Sequence, residues 1–448
     1  MKLDQFKFTN FRRAPCIEST LHEQLTVFIA RNGEGKTTIL DALAILLSSY
    51  SGAFDHGKAK GIEHSDVRYQ RLQWTPDNEP VYPCDLHATI TLSQDTPVRI
   101  KRELTGAKNK TTNKDISALT VYGKRCMASI SNLKLDDVPI VAYYGTGRLW
   151  SVHKDSRNRK TINASRSVAF EDCLTSSSNY KQMQDWVKNA AMAVLQQQQM
   201  PEAYKGYPIK DQLAGIANAV ESILGPQGWT QFHFSVIHQE LAMLHEDQGI
   251  LPVSLLSDGI RAMISLVADL AWRCAKLNPH MKDLAPQKTS GIVLIDEVDM
   301  HLHPEWQQRV IGSLVDAFPN IQFIVTTHSP QVLSTIERQS IRELVEEEQD
   351  DGSKIVIGRT PDHQSRGVAS NDLLAELQNT NPTPDVPEAK WLSEYKALIV
   401  QYLQHSPDGE ALKQKILDHF GDQHPEWREI ERLVRLQAIK AKIPKKSS

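Results

Sequence analysis

The run ARNGEGKTT at residues 30–38 decides how this chain folds. It follows the apolar segment LTVFI (25–29) and leads into TILDALAILL (38–47), whose apolar residues recur at helical spacing. The order is therefore buried strand, glycine-rich turn, amphipathic helix. Such a turn cradles phosphate because glycines let successive backbone N–H groups point inward, while the helix adds the positive end of its dipole. A lysine then reaches the terminal phosphates, and a hydroxyl serves Mg2+. Gly33, Gly35, Lys36 and Thr37 fill those places, with Asn32, Glu34 and Thr38 completing the loop and the helix start. Ala30 stands where the pattern has its first glycine, a position that tolerates a methyl group at negative φ.

Three downstream stretches complete a nucleotide site. GIVLIDE (291–297) is an apolar strand ending in two acids. Asp296 suits a hard cation such as Mg2+, and Glu297 suits orientation or deprotonation of an attacking water. LLSDGIR (255–261) opens the helical run LLSDGIRAMISLVADLAWRCAKL with Ser257 at a capping position, so Ser257, Gly259 and the helix amides can face an anion. TTHSP (326–330) follows one strand after the acids and offers His328 as a donor to a terminal phosphate. The order of these elements carries more weight than any one of them. His301 and His303, in DMHLHPEWQQ, alternate without a further Cys or His cluster, which fits a loop better than a metal pair.

The rest of the chain of 448 residues is read around this site. With 51 basic and 54 acidic residues the net charge is −3, which excludes a generally basic nucleic-acid coat but not a local basic groove. Five scattered cysteines without a CxxC pair fit reduced thiols. The apolar runs are too short for a membrane span, and the N-terminus has neither signal nor transit character, so the expected location is cytoplasmic. Residues 2–13 alternate as an edge strand would, 81–104 carry two strands, and the lysine-rich 105–130 reads as a loop or loose hairpin. A strand is expected at 138–144. About 150–250 reads as mainly helical, and the proline-rich 381–390 as a linker before further helices.

Together these stretches carry a family likeness. NFRR (10–13), ARNGEGKTTILDAL, YYGTGRLW (143–150), LLSDGIRAMISLVADLA, LIDEVDMHLHPEWQQ and VTTHSPQVL resemble the bacterial AAA/ABC-like ATPases related to SMC, Rad50 and overcoming-lysogenization-defect proteins. LSDG resembles the LSGGQ signature of ABC-type ATPases, and TTHSP the switch-histidine loop. The compact insertion and the segment SNDLLAELQNTNPTP (370–384) are similar to the PtuA family, the ATPases of Septu anti-phage defence systems. The resemblance implies an α/β fold, a P-loop ABC/SMC-type ATPase head with a helical insertion and a C-terminal helical region. The expected parts are an N-terminal lobe (1–150), the insertion (151–250), a C-terminal lobe (251–345) and a helical partner-docking region (346–448). It also implies ATP and Mg2+ as ligands, with Thr37 and Asp296 holding the metal and Glu297 and His328 acting in hydrolysis. Ser257 and Gly259 of one subunit would cap ATP bound to another in a sandwich dimer or larger homo-oligomer. The implied partner is an HNH nuclease subunit of the PtuB kind, through which DNA would be reached. No HNH or TOPRIM-like acid set is found in the chain, so nuclease activity in this polypeptide is not expected.

Two alternatives stay open at this level. One is a RecF- or Rad50-like repair ATPase that binds DNA directly. Residues 148–166, with Arg148, Lys154, Arg157, Arg159, Lys160 and Arg166 against Asp155 alone, offer a basic stretch for a phosphate backbone or merely a solvated loop. The other is a transporter nucleotide-binding domain, which the long insertion and the divergent signature disfavour.

Overall fold

A computed structural model describes residues 1–31, 33–71, 77–92, 96–149, 165–175, 180–202, 209–350, 352–378, 381 and 383–442. The chain opens with β1 (Lys2–Phe11), β2 (Ala14–Thr20) and β3 (Leu25–Ile29), then α1 (Lys36–Ser51). A small hairpin, β4 (Tyr69–Arg71) and β5 (Asn78–Pro80), precedes β6 (Cys84–Thr91), β7 (Pro97–Leu104), α2 (Ser117–Ser131) and β8 (Ile140–Tyr144). Next come α3 (Tyr180–Gln199), α4 (Ile209–Leu224), β9 (Trp229–Ser235), β10 (Glu240–His245) and β11 (Gly249–Pro252). The long α5 (Asp258–Leu277), short α6 (Ala285–Lys288), β12 (Gly291–Ile295), α7 (Pro304–Gln307), α8 (Val310–Ala317), β13 (Ile321–Thr326) and α9 (Pro330–Leu333) follow. The strands β14 (Ile341–Glu348) and β15 (Lys354–Arg359) then lead to α10 (Ser370–Gln378).

One sheet carries the site. Its strand order is β7-β6-β1-β2-β15-β14-β3-β13-β12-β8. The block β14-β3-β13-β12-β8 is parallel, whereas β7, β6, β1 and β2 pair antiparallel. In β3, β8, β12 and β13 every residue is buried, as expected of parallel strands covered on both faces. Helix α1 is buried along most of its length and packs on strands of both blocks. A side chain stitches the blocks: buried Gln322 donates to the Leu3 and His22 carbonyls at 2.7 and 2.9 Å and accepts the Leu3 N–H at 2.7 Å.

Three expectations are corrected. β1 is an interior strand between β6 and β2; its alternation reports a sheet with one solvated face, not an edge position. Residues 117–131 are helical, because Leu119, Gly123, Cys126 and Ile130 make a buried stripe that the lysines around it obscure. The insertion carries α3 and α4 and, over 229–252, the three-stranded antiparallel sheet of β9, β10 and β11. Strands β14 and β15 lie inside the main sheet, closing between β3 and β2, so the head does not end at 345. The compact units are Met1–Gln378 and Asn379–Ser448, and the boundary falls at the start of the proline-rich segment.

The second unit contains α11 (Pro387–Val400), α12 (Pro407–Phe420) and α13 (Pro425–Lys442) around a small core of Tyr395, Ile399, Ile416, Trp427 and Ile430. Ser406 caps α12 by accepting the Gly409 N–H at 3.1 Å. Among the described residues no helix is long and apolar enough to cross a membrane.

Gly291 begins β12 where strands crowd. A Cβ there would come within 2.1 Å of the Ile140 carbonyl oxygen on β8. Gly291→Ala should therefore cost about 1–3 kcal/mol of stability through overpacking, read from urea unfolding. An unchanged midpoint would show that β8 and β12 can part at no cost.

Candidate functional site

The parallel strands deliver three loops to one end of the sheet. Gly33 and Gly35 have φ of +85° and +103°, a backbone conformation that a side chain would strain. Gly35 immediately precedes α1, and its carbonyl accepts the Ile39 N–H at 3.0 Å to begin the helix. Glu34 closes the loop on itself by accepting the Arg31 N–H at 2.7 Å. Lys36 is buried, and its ammonium donates to the Ala30 and Arg31 carbonyls at 2.7 and 3.2 Å. Burial lowers its pKa, against the opposing pull of Asp296, Glu34, Glu297 and Asp299. Asn32 lies outside the described residues.

Asp296 follows β12 and is almost fully buried. Its N–H donates to the Tyr144 carbonyl at the end of β8, 2.8 Å away. One carboxylate oxygen, Oδ2, accepts the Thr37 hydroxyl at 2.8 Å, and Oδ1 accepts the Thr326 hydroxyl at 2.6 Å. Thr326 also accepts the Glu297 N–H at 2.8 Å, so one hydroxyl orients both acids. The parallel register explains the meeting: Ile295 lies beside Val325, and Thr326 beside Phe28. Glu297 itself sits at φ +48°, an uncommon conformation for a non-glycine residue.

The switch loop is bonded to the loop that follows the acids. Thr327 donates to Asp299, and Ser329 caps α9 by accepting the Val332 N–H at 3.2 Å. The Ser329 hydroxyl also donates to Gln307 Oε1 at 2.8 Å, while Gln307 Nε2 donates to the Leu302 carbonyl at 2.9 Å. His328 is half-buried between these loops; its pKa is lowered from 6.5 by burial and by the Lys36 charge, with Glu297, Asp299 and Asp296 opposing.

The signature stretch occupies a different place. Ser257 holds the N-cap position of α5 in extended conformation, yet its hydroxyl makes no capping bond and the residue is exposed. A Cβ at Gly259 would approach the His301 carbonyl oxygen to 2.6 Å. Gly259 is thus required by the close packing of α5 on the loop after the acids, a reason the local pattern did not reveal. His303 caps α7 with a 3.4 Å bond from the Glu305 N–H, and among the described residues no group of three or more His, Cys, Asp or Glu could hold a metal ion. In the basic stretch, the Arg166 guanidinium is spent on the Leu277, Lys134 and Asp136 carbonyls. The other basic residues of that stretch lie outside the described side chains.

Thr37 and Asp296 meet as hard oxygen donors of the kind Mg2+ takes, beside a lysine and a loop with two glycines at positive φ. Sequence reading found both but missed Thr326, Thr327, Ser329, Asp299 and Gln307. The signal available was a pair of threonines ending a buried strand and a Ser-Pro helix start.

The parallel sheet, the glycine-rich loop before α1 and the acid at the end of β12 give the chain an α/β P-loop head. Family models described as "AAA domain" match residues 6–222, and as "AAA domain, putative AbiEii toxin, Type IV TA system" residues 154–334. The chain is 38% identical over 94 residues to the Septu protein PtuA of Bacillus mycoides (strain KBAB4), covering 21% of this chain and 12% of that protein. It is 41% identical over 174 residues to the Retron Ec83 probable ATPase of Escherichia coli, 38% of this chain and 30% of that one. Over 443 residues it is 24% identical to the Retron Vc95 probable ATPase of Vibrio cholerae serotype O1 biovar El Tor, 90% of this chain and 83% of the relative. The chain thus spans less than a third of the Ec83 protein's length. The SMC head domain from Thermotoga maritima aligns with 80% of this chain and 99% of its own at 14% identity and a TM-score of 0.41.

Thr326→Val keeps the shape of the side chain but removes the hydroxyl that bonds the half-buried Glu297 N–H and Asp296 Oδ1. The expected loss is about 1–3 kcal/mol, measured by thermal unfolding, and an unchanged Tm would contradict the bond. In the nucleotide-free protein, an NMR titration of His328 should give a midpoint below 6.5, so that the ring is mainly neutral at pH 7; a midpoint above 6.5 would contradict the burial described.

Proposed function

We propose that this protein binds ATP with Mg2+ and hydrolyses it as the ATPase subunit of a bacterial anti-phage defence complex. In this reading it assembles with copies of itself and regulates a partner HNH nuclease. The observation that carries the ATP-binding part is the Asp296 carboxylate held by the Thr37 and Thr326 hydroxyls beside Lys36. The names of the Septu and retron relatives support the defence setting, and the setting would be cytoplasmic.

Gly33, Glu34, Gly35, Thr38 and the first amides of α1 surround the phosphates, and Asn32 is assigned to the same loop by its sequence position alone. Lys36 exchanges its bonds to the Ala30 and Arg31 carbonyls for phosphate oxygens. Thr37 and Asp296 would hold Mg2+, which would supply neutralisation of phosphate charge. Glu297, aimed by its N–H bond to Thr326, orients the attacking water. His328 donates a hydrogen bond toward the terminal phosphate. Ser257, whose hydroxyl is not used by its own helix, and Gly259 face the nucleotide of a second copy. Cutting of DNA falls to the partner in this reading, which the C-terminal helices of residues 379–448 would dock.

Two variants test the assignment. Lys36→Ala should abolish binding of a fluorescent ATP analogue. Glu297→Gln should keep binding, slow hydrolysis by about 100-fold or more and accumulate ATP-bound dimers or larger oligomers in sizing experiments. A Glu297→Gln protein that stays monomeric with saturating ATP would refute the shared site.

A further inference from the structure

The middle of α5 carries a charge pair that the site described above does not use. Asp269 and Arg273 are 0% and 1% exposed, one turn apart, with Arg273 Nε donating to Asp269 Oδ2 at 2.7 Å. A desolvated pair of this kind is seldom placed in a core for stability alone, because an apolar pair of equal volume does as well. Its other bonds indicate what it holds. Arg273 Nη1 donates to the Ala169 and Glu171 carbonyls, at 2.5 and 3.3 Å. The hydroxyl of buried Tyr144 donates to the same Asp269 Oδ2 at 2.7 Å. The residue preceding it is held as well, since the Tyr143 N–H donates to the Cys173 carbonyl at 2.7 Å.

Tyr144 therefore has two attachments. Its side chain is bonded to α5, and its carbonyl accepts the Asp296 N–H at 2.8 Å. Asp296 in turn bonds Thr37 and Thr326. An unbroken series of short hydrogen bonds runs from Arg273 through Asp269, Tyr144 and Asp296 to the phosphate-loop helix. The opposite end of α5 begins at exposed Ser257, twelve residues and about 18 Å of helix from Asp269.

We infer that Tyr144, Asp269 and Arg273 are positioning residues that set where the Asp296 carboxylate lies relative to Thr37, and that they make α5 and the metal-holding end of β12 move as one body. The inference rests on the reading of Asp296 as the Mg2+ ligand. It gives engagement at the start of α5 a route to the hydrolysis site: a shift of the helix pulls on Tyr144, and Tyr144 carries the Asp296 main chain with it.

Tyr144→Phe tests this with one hydroxyl removed and the ring kept; Asp269→Asn is the companion variant, and Tyr144→Phe alone suffices if that one fails to fold. Two quantities are read on the full chain. The first is the Mg2+ concentration that half-saturates ATP hydrolysis, expected to rise about 10-fold in Tyr144→Phe, as for other groups that hold a metal ligand in place. The second is amide hydrogen exchange without nucleotide, expected to quicken in 293–298 and 258–268 together. If the wild type hydrolyses ATP, an unchanged Mg2+ half-saturation overturns the proposal, even where Tm falls, because a merely structural role would lower Tm alone. If the wild type hydrolyses no ATP, the proposed function fails by itself. The positioning role is then judged by exchange, and unchanged protection of 293–298 overturns it.

Discussion

Everything at the candidate site depends on one buried carboxylate being held on every side. Asp296 takes a hydroxyl from α1, a hydroxyl from the end of β13 and, at its N–H, a carbonyl from the end of β8. The first of these partners is 259 residues away in the chain. A lone buried carboxylate is costly, so the fold either satisfies it or loses it. Satisfying it requires that β3, β13, β12 and β8 end at the same level, which is what parallel pairing in this register achieves. The nucleotide site is in this sense the place where the parallel block is closed.

The same constraint gives the surrounding residues their roles. Thr326 serves both acids because it sits one residue past the Ile295–Val325 register pair. Gly259 is small because α5 must start against the loop that carries the acids onward to α7. Gln307 and Ser329 tie that loop to the switch loop, so His328 is placed by its neighbours rather than by its own strand. The lowered pKa values of Lys36 and His328 share a cause: both are desolvated at one end of the sheet, and the Lys36 charge bears on His328.

How much of this was legible in the sequence follows the range of the interactions. ARNGEGKTT, GIVLIDE, the helix after Ser257 and TTHSP could be read because each is a local pattern of strand, turn and helix with its chemistry attached. The proline-rich run near 381 marked the unit boundary for the same reason. What escaped was settled by partners far along the chain. Alternation in β1 looks alike at an edge and in a half-solvated interior, and only its pairing with β6 and β2 decides. Strands β14 and β15 cross or follow the expected lobe end at 345, and only their pairing with β3 and β2 places them in the head. Asp269 and Arg273 are an ordinary i, i+4 pair in sequence; burial and Tyr144 make them part of the site's support.

The most direct measurement is equilibrium binding of Mn2+ with ATP, followed by the loss of the free Mn2+ resonance in EPR. The account predicts one ATP-dependent Mn2+ per chain, weakened by about 10-fold or more in Thr37→Val and in Asp296→Asn. Equal Mn2+ affinity in the wild type and both variants would place the metal, and with it the nucleotide, somewhere other than the end of β12.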